Sequence, residues 1–256
     1  MMDRRIGAQM FTIRDFCKTA EDLDASCKKL HDMGFELVQS SGVCTSLSGA
    51  ELKEIYDRHS LTAVVTHRGY NEYTEDIDNM IKFHKDLGCP VAGMGAMPKE
   101  LREDMNLENL KKFISDANKI SEEMKKENII FAYHNHAFDW AKVDGKPIFE
   151  YFIEECDISF ILDVYWLSFV GKDPAEFIDR IGKKAIIAHY KDLKANLDNS
   201  VAFSEVGNGL IDFDKVTAAC DRAGTIAAFI EQDKCDGDPF ESLKISRDYL
   251  LKKGFN

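Results

Sequence analysis

No two cysteines in this chain have the CxxC spacing, no apolar run approaches the roughly 18 residues of a membrane span, and no glycine-rich turn follows the first apolar segment. The seven cysteines, at positions 17, 27, 44, 89, 156, 220 and 235, are odd in number and scattered. That argues against a zinc knuckle or a disulfide framework and leaves reduced thiols, mostly small buried hydrophobes. Basic residues are also in deficit: 33 Lys and Arg face 45 Asp and Glu, for a net charge of -12. A surface of that sign repels phosphates, so neither nucleic acid nor an anionic membrane is an expected partner. The polar stretch Met1 to Arg5 leads into no secretory apolar region, and the expected location is the cytoplasm. What is present, 45% hydrophobic and 30% charged residues, is the composition of a globular protein able to bury a sizeable core.

Short apolar segments alternate with longer amphipathic ones from end to end, the pattern of parallel strands separated by crossover helices. Strands are predicted at Ile6 to Met10, Phe35 to Gln39, Thr62 to His67, Val91 to Met94, Ile129 to His134, Ile158 to Asp163, Ala185 to Tyr190 and Ile226 to Glu231. Helices are predicted between them at Ala20 to Met33, Ser48 to His59, Thr74 to Leu87, Leu107 to Lys126, Pro147 to Glu155, Pro174 to Ile181, Asp214 to Ala223 and Pro239 to Leu251. Gly34, Gly88 and Gly224 read as helix stops, while Asp173-Pro174 and Asp238-Pro239 read as an N-cap followed by proline at the first helical position. Eight βα units without a linker, a charge block or low complexity predict a single (β/α)8 TIM barrel over residues 1–256. A doubly wound open sheet is the competing topology, and the missing phosphate loop speaks against it.

Barrels of this kind carry their chemistry at the C-terminal ends of the strands. Those positions here hold Gln9, Gln39, His67, His134 with His136, Asp163, His189 and Glu231. In Tyr133-His134-Asn135-His136 the two imidazoles share one face of a strand, because side chains alternate with period two. The other histidines, His31, His59 and His84, lie in helical, polar contexts and are expected at the surface. Asp163, His189, Glu231 and a histidine from the fifth strand offer two carboxylates and two imidazoles. Such a mixed set suits Mn²⁺, Co²⁺, Zn²⁺ or Fe²⁺. Taken singly, each has an ordinary structural explanation, as a capping aspartate, a hydrogen-bonded core histidine or an ion-paired glutamate; four at successive strand ends make a site the better one. His67 is as apt to hold a loop as to touch a substrate. Lys191 would share the face of His189 if the strand continues, and either grips a substrate or reaches water. Trp140 and Trp166 suit sugar stacking and ordinary packing about equally.

The segments Ile6-Gly7-Ala8-Gln9-Met10-Phe11-Thr12-Ile13-Arg14-Asp15, Tyr133-His134-Asn135-His136, Leu162-Asp163-Val164-Tyr165-Trp166, His189-Tyr190-Lys191-Asp192, Gly207-Asn208-Gly209-Leu210-Ile211-Asp212-Phe213 and Glu231-Gln232-Asp233 carry a resemblance. Over nearly its whole length the chain resembles the sugar phosphate isomerase/epimerase group of xylose-isomerase-like TIM barrels. The resemblance implies a divalent ion at the barrel mouth, manganese first, with zinc, cobalt, iron or magnesium as the other choices. It places Asp163, His189 and Glu231 on ligand positions, with His134 where ketose 3-epimerases have a glutamate and Trp166 where they have a substrate-binding histidine. The activity it implies is isomerisation or epimerisation of a sugar, keto-sugar or sugar derivative through an enediolate. Glu231 is the expected proton-abstracting group, His136 the opposing acid and His67 the reserve. Gln9, Arg14, Trp166 and Lys191 are expected to bind the small sugar or polyol. A lyase of the inosose dehydratase or 3-keto-glycoside eliminase type is the alternative enzyme, in which His136 protonates the departing oxygen. A non-catalytic sugar-binding barrel is the alternative of another class, and homo-oligomers occur among such barrels.

Overall fold

Runs such as Val64-Val65 and Ile186-Ile187 are too short for a stable helix and rich in β-branched residues, and they become strands buried on both faces. The computed structural model describes residues 1–256. The strands are β1 (Gly7–Gln9), β2 (Leu37–Ser40), β3 (Thr62–Thr66), β4 (Val91–Met94), β5 (Ile130–His134), β6 (Ser159–Asp163), β7 (Ala185–Tyr190) and β8 (Ala227–Ile230). All pair in parallel with their sequence neighbours, and β1 pairs β8 to close the barrel. Each predicted strand is therefore a barrel strand: β4 and β7 keep the predicted bounds, β2 starts two residues later and ends one later, and the others lose one residue at one or both ends. No helix is long and apolar enough to cross a membrane.

Around the barrel run α1 (Ala20–Asp32), α2 (Gly49–Arg58), α3 (Tyr70–Glu75), α4 (Ile77–Leu87), α5 (Lys99–Glu103), α6 (Leu107–Lys126), α7 (Ile148–Glu155), α8 (Val164–Phe169), α9 (Pro174–Ile181), α10 (Phe213–Ala223) and α11 (Pro239–Leu251). Gly88 and Gly224 take left-handed conformations after α4 and α10, and Asp173 and Asp238 cap α9 and α11 just before their prolines. One predicted helix is corrected. Thr74 to Leu87 is two elements, α3 and α4, because Asp76 is extended at φ -150° and its side chain caps the second by accepting from the Asn79 N–H.

The barrel interior is built in layers. A lower apolar layer includes Leu37, Val65, Val91, Ala132, Ile161, Ile187 and Phe229. Gly7 on β1 leaves room for Phe229, since a Cβ there would meet that ring at 2.4 Å. Two residues further along each strand, on the same inward face, come Gln39, His67, Gly93, His134, Asp163, His189 and Glu231, and Gln9 stands in the same place on β1. The pleat therefore lifts a polar layer directly above the apolar one. A larger apolar cluster of 62 residues fills the space between strands and helices.

Candidate active site

Asp163 and His189 are paired neighbours in the β6–β7 register, and His134 at the end of β5 and Glu231 just past the end of β8 flank them. Their ligand atoms all lie within 4.8 Å of one another, and all four side chains are buried. His134 Nε2 stands 3.3 Å from Asp163 Oδ2, and His189 Nδ1 stands 2.9 Å from Glu231 Oε2 and 4.0 Å from Asp163 Oδ2.

Outer hydrogen bonds fix which nitrogens face inward. His134 Nδ1 donates to the Gly95 carbonyl at 3.2 Å, so its Nε2 presents a lone pair to Asp163. His189 Nε2 lies 2.7 Å from Gln39 Oε1 and donates to it, which leaves Nδ1 buried among carboxylates without a hydrogen-bond partner. Two imidazole lone pairs aimed at two carboxylate oxygens are a repulsive arrangement until a cation lies between them. This donor set fits a divalent ion, with each histidine held from behind as ligating imidazoles are. Asp163 is held as well. Its Oδ1 accepts from the Tyr165 and Trp166 N–H groups, and the Asn135 side chain accepts from its N–H at 2.8 Å.

Lys191 completes the charge balance. Its buried Nζ lies 3.2 Å from Asp163, 3.4 Å from Glu231 and 2.7 Å from Asp233. Burial alone would lower the ammonium, but the three carboxylates hold it above its ordinary range and so charged. Burial raises the Asp163 and Glu231 carboxyls, yet the Lys191 ammonium beside them leaves both below the usual carboxylate range. Three carboxylates and one ammonium leave two negative charges, which one divalent ion cancels.

His134, Lys191, Glu231 and Asp233 face a cavity of about 350 Å³ at the barrel mouth, whose lining also includes Gln9, His67 and His136. Burial pushes His136 down to about 2, with help from His134, so its ring enters any reaction neutral. Burial likewise holds His67 well below its ordinary value, and that ring packs at 4.9 Å on His134 and 5.5 Å on His189. Gln9 Nε2, His67 Nε2 and His136 Nδ1 are buried without partners.

Three expectations come out otherwise. Arg14 does not line the cavity: its guanidinium lies 4.2 Å over the Phe11 ring and donates to the Phe11 and Asp233 carbonyls, tying the loops after β1 and β8. Trp166 packs beside His136 at 5.7 Å, outside the cavity lining, and Trp140 packs on Phe149 and Phe177. His84 is not a surface residue. It is buried, donates from Nδ1 to the Met80 carbonyl at 2.7 Å and accepts the Thr66 hydroxyl at 2.8 Å, pinning α4 to the end of β3.

Sequence reasoning missed Asp139, Asp192 and Asp233. Asp139 is buried, accepts from the His136 backbone N–H at 2.7 Å and from the Tyr133 hydroxyl at 2.9 Å, and so fixes the loop that presents His136. Burial raises its carboxyl to about 7 despite those bonds.

The family model described as xylose isomerase-like TIM barrel matches residues 27–252. No curated protein matches. Among solved structures, a sugar phosphate isomerase/epimerase from Parabacteroides distasonis is similar at 20% identity and a TM-score of 0.81, over 98% of this chain and 94% of that one. An L-ribulose 3-epimerase is similar at 15% identity and 0.71, over 100% and 95%. A probable 3-DHS dehydratase involved in petrobactin synthesis from Bacillus anthracis is similar at 12% and 0.71, over 98% and 99%. Likeness at these identities establishes the fold.

Proposed function

Because the chain belongs to the xylose isomerase-like TIM barrel family, we propose that it is a divalent-metal-dependent isomerase or epimerase of a small sugar, keto-sugar or sugar derivative. The observation that carries this reading is the inward set of His134 Nε2, Asp163 Oδ2, His189 Nδ1 and Glu231 Oε2, of which His134 and Glu231 line a polar cavity. Those atoms would hold the ion, with manganese, zinc, cobalt and iron suited to a two-nitrogen, two-oxygen set. When bound, it supplies Lewis acidity that stabilises negative charge on a substrate carbonyl oxygen.

The chain's own residues handle the proton. Glu231 is a carboxylate and His136 a neutral imidazole, so both begin as acceptors facing the cavity. A group that has taken the proton from carbon can return it to a neighbouring carbon on the same face, which is isomerisation, whereas epimerisation takes a proton from the group on the opposite face. Lys191 adds fixed positive charge beside the developing oxyanion. Gln9 and His67 offer neutral polar atoms to hydroxyls.

A lyase is the second reading, in which the fixed charge of Lys191 at the cavity wall steadies a departing oxygen. A panel of keto-sugars incubated in D₂O separates the two. Deuterium entering beside the carbonyl without loss of water supports the isomerase or epimerase; loss of water or aglycone supports the lyase. Absence of both from every sugar, together with absence of bound metal, supports a non-catalytic sugar-binding barrel.

A further inference from the structure

Resting on that reading of the site, we infer that its substrate is an uncharged polyol or keto-sugar and carries no phosphate or other anionic group. Two cations line the cavity, and each is already paired. Lys191 is shared by Asp233, Asp163 and Glu231, and Arg68 pairs with Glu72 at 2.5 Å while lying 4.6 Å over the Phe83 ring. The remaining charged lining residues, Glu231 and Asp233, are acidic. With the carboxylates balanced by Lys191 and the proposed ion, the remaining lining cation is Arg68, and an anionic ester would have to displace its pairing with Glu72.

Backbone donors give the stronger argument. Barrels that bind phosphate do so on the loops after strands seven and eight, where converging N–H groups form an anion cradle. After β7 such a cradle exists, and the chain fills it with its own carboxylate. The buried Asp192 accepts from the N–H groups of Leu193 at 2.8 Å, Gly207 at 2.9 Å, Gly209 at 2.9 Å and Ile211 at 3.2 Å. The fit is close, since a Cβ on Gly209 would lie 2.3 Å from Asp192 Oδ1. After β8 the Gln232 N–H is taken by the Thr12 hydroxyl, and the next side chain is Asp233. Of the polar atoms left without partners around the cavity, those on Gln9, His67 and His136 belong to amide and imidazole groups that suit hydroxyls, and the fourth is Nε of Arg68, whose charge is already paired with Glu72.

Inorganic phosphate tests the inference independently of turnover. Melting curves are taken in about 10 mM phosphate against chloride of equal ionic strength, for the wild type and Asp192→Ser, with and without chelator, since any ligand of the folded state raises the midpoint. The expected result is no phosphate-specific shift in the wild type and a rise in Asp192→Ser, whose cradle has lost its carboxylate. A phosphate-specific rise in the wild type, or none in a folded Asp192→Ser, overturns the inference; should that variant not fold, the wild type alone decides. Calorimetry with D-fructose against its 6-phosphate, and D-xylulose against its 5-phosphate, gives the companion measurement. Neutral sugars are expected to bind at least about tenfold more tightly, a difference of about 1.4 kcal/mol. Tighter binding of the esters overturns the inference while leaving the metal reading intact, whereas absence of metal removes that reading and leaves the phosphate result standing.

Discussion

A histidine that ends a buried strand brings a donor, an acceptor and a titratable proton to a place with little water, and its neighbours decide what it does. At His134 and His189 a carbonyl and an amide oxygen behind the ring turn the free nitrogens inward. Those two were legible in the sequence because each ends an apolar run, as do Asp163 and Glu231. His84 was not, since Lys82, Lys85 and Asp86 around it look solvated, although its burial companions Met80, Phe83 and Leu87 lie at helical spacing on its own face. Asp139 and Asp192 were hidden for a different reason: their partners come from loops whose course no periodicity records. The His84 contact has a consequence for stability. Burial pushes the ring down to about 4 from its ordinary 6.5, so within that window the unfolded chain binds a proton that the folded chain excludes. Stability contributed by the neutral ring is complete above about pH 6.5 and is lost as the pH falls towards 4, on the order of 3 kcal/mol at the acid end. Urea midpoints at intervals from pH 7 to pH 4 are expected to fall less steeply for His84→Gln than for the wild type. Equal slopes would show that His84 does not titrate this way.

Parallel strands buried on both faces read as continuous apolar runs, and all eight were found for that reason. The short helices α3, α5 and α8 and the hairpin of Asp192–Ala195 with Val201–Ser204 were not, because pieces this short owe their existence to tertiary contact rather than to a local pattern. The hairpin brings the Phe203 ring within 4.4 Å of Tyr165 and 5.2 Å of Lys191 Nζ, and so walls the charged layer with aromatics. Within the barrel the element with least side chain matters as much. Gly93 takes the place of β4 in the polar layer, and a Cβ there would lie 2.0 Å from the Thr66 carbonyl and 3.1 Å from the His67 ring. Gly93→Ala is therefore expected to cost about 1–3 kcal/mol by overpacking, lowering the melting midpoint by roughly 2–10 °C. Gly237→Ala, with open space around it, serves as the comparison that stays unchanged. An unaltered midpoint for Gly93→Ala would mean that the interior is looser than described.

At the scale of the whole molecule, closure of the barrel turns scattered sequence positions into one site. Residues 134, 163, 189 and 231 come from four successive strands, and their meeting within 4.8 Å follows from a parallel register and a shared inward parity. The same closure gathers a surplus of negative charge around Lys191, which suits the site to a divalent ion. We propose that such an ion is part of the working protein, held by His134, Asp163, His189 and Glu231. Elemental analysis by plasma mass spectrometry on protein purified without chelators, for the wild type, His134→Ala and Asp163→Ala, tests it directly. The expected result is about one divalent ion per chain in the wild type and at least tenfold less in either folded variant, as loss of a ligand requires. A wild type without a stoichiometric ion, or variants that keep it in full, would contradict the account.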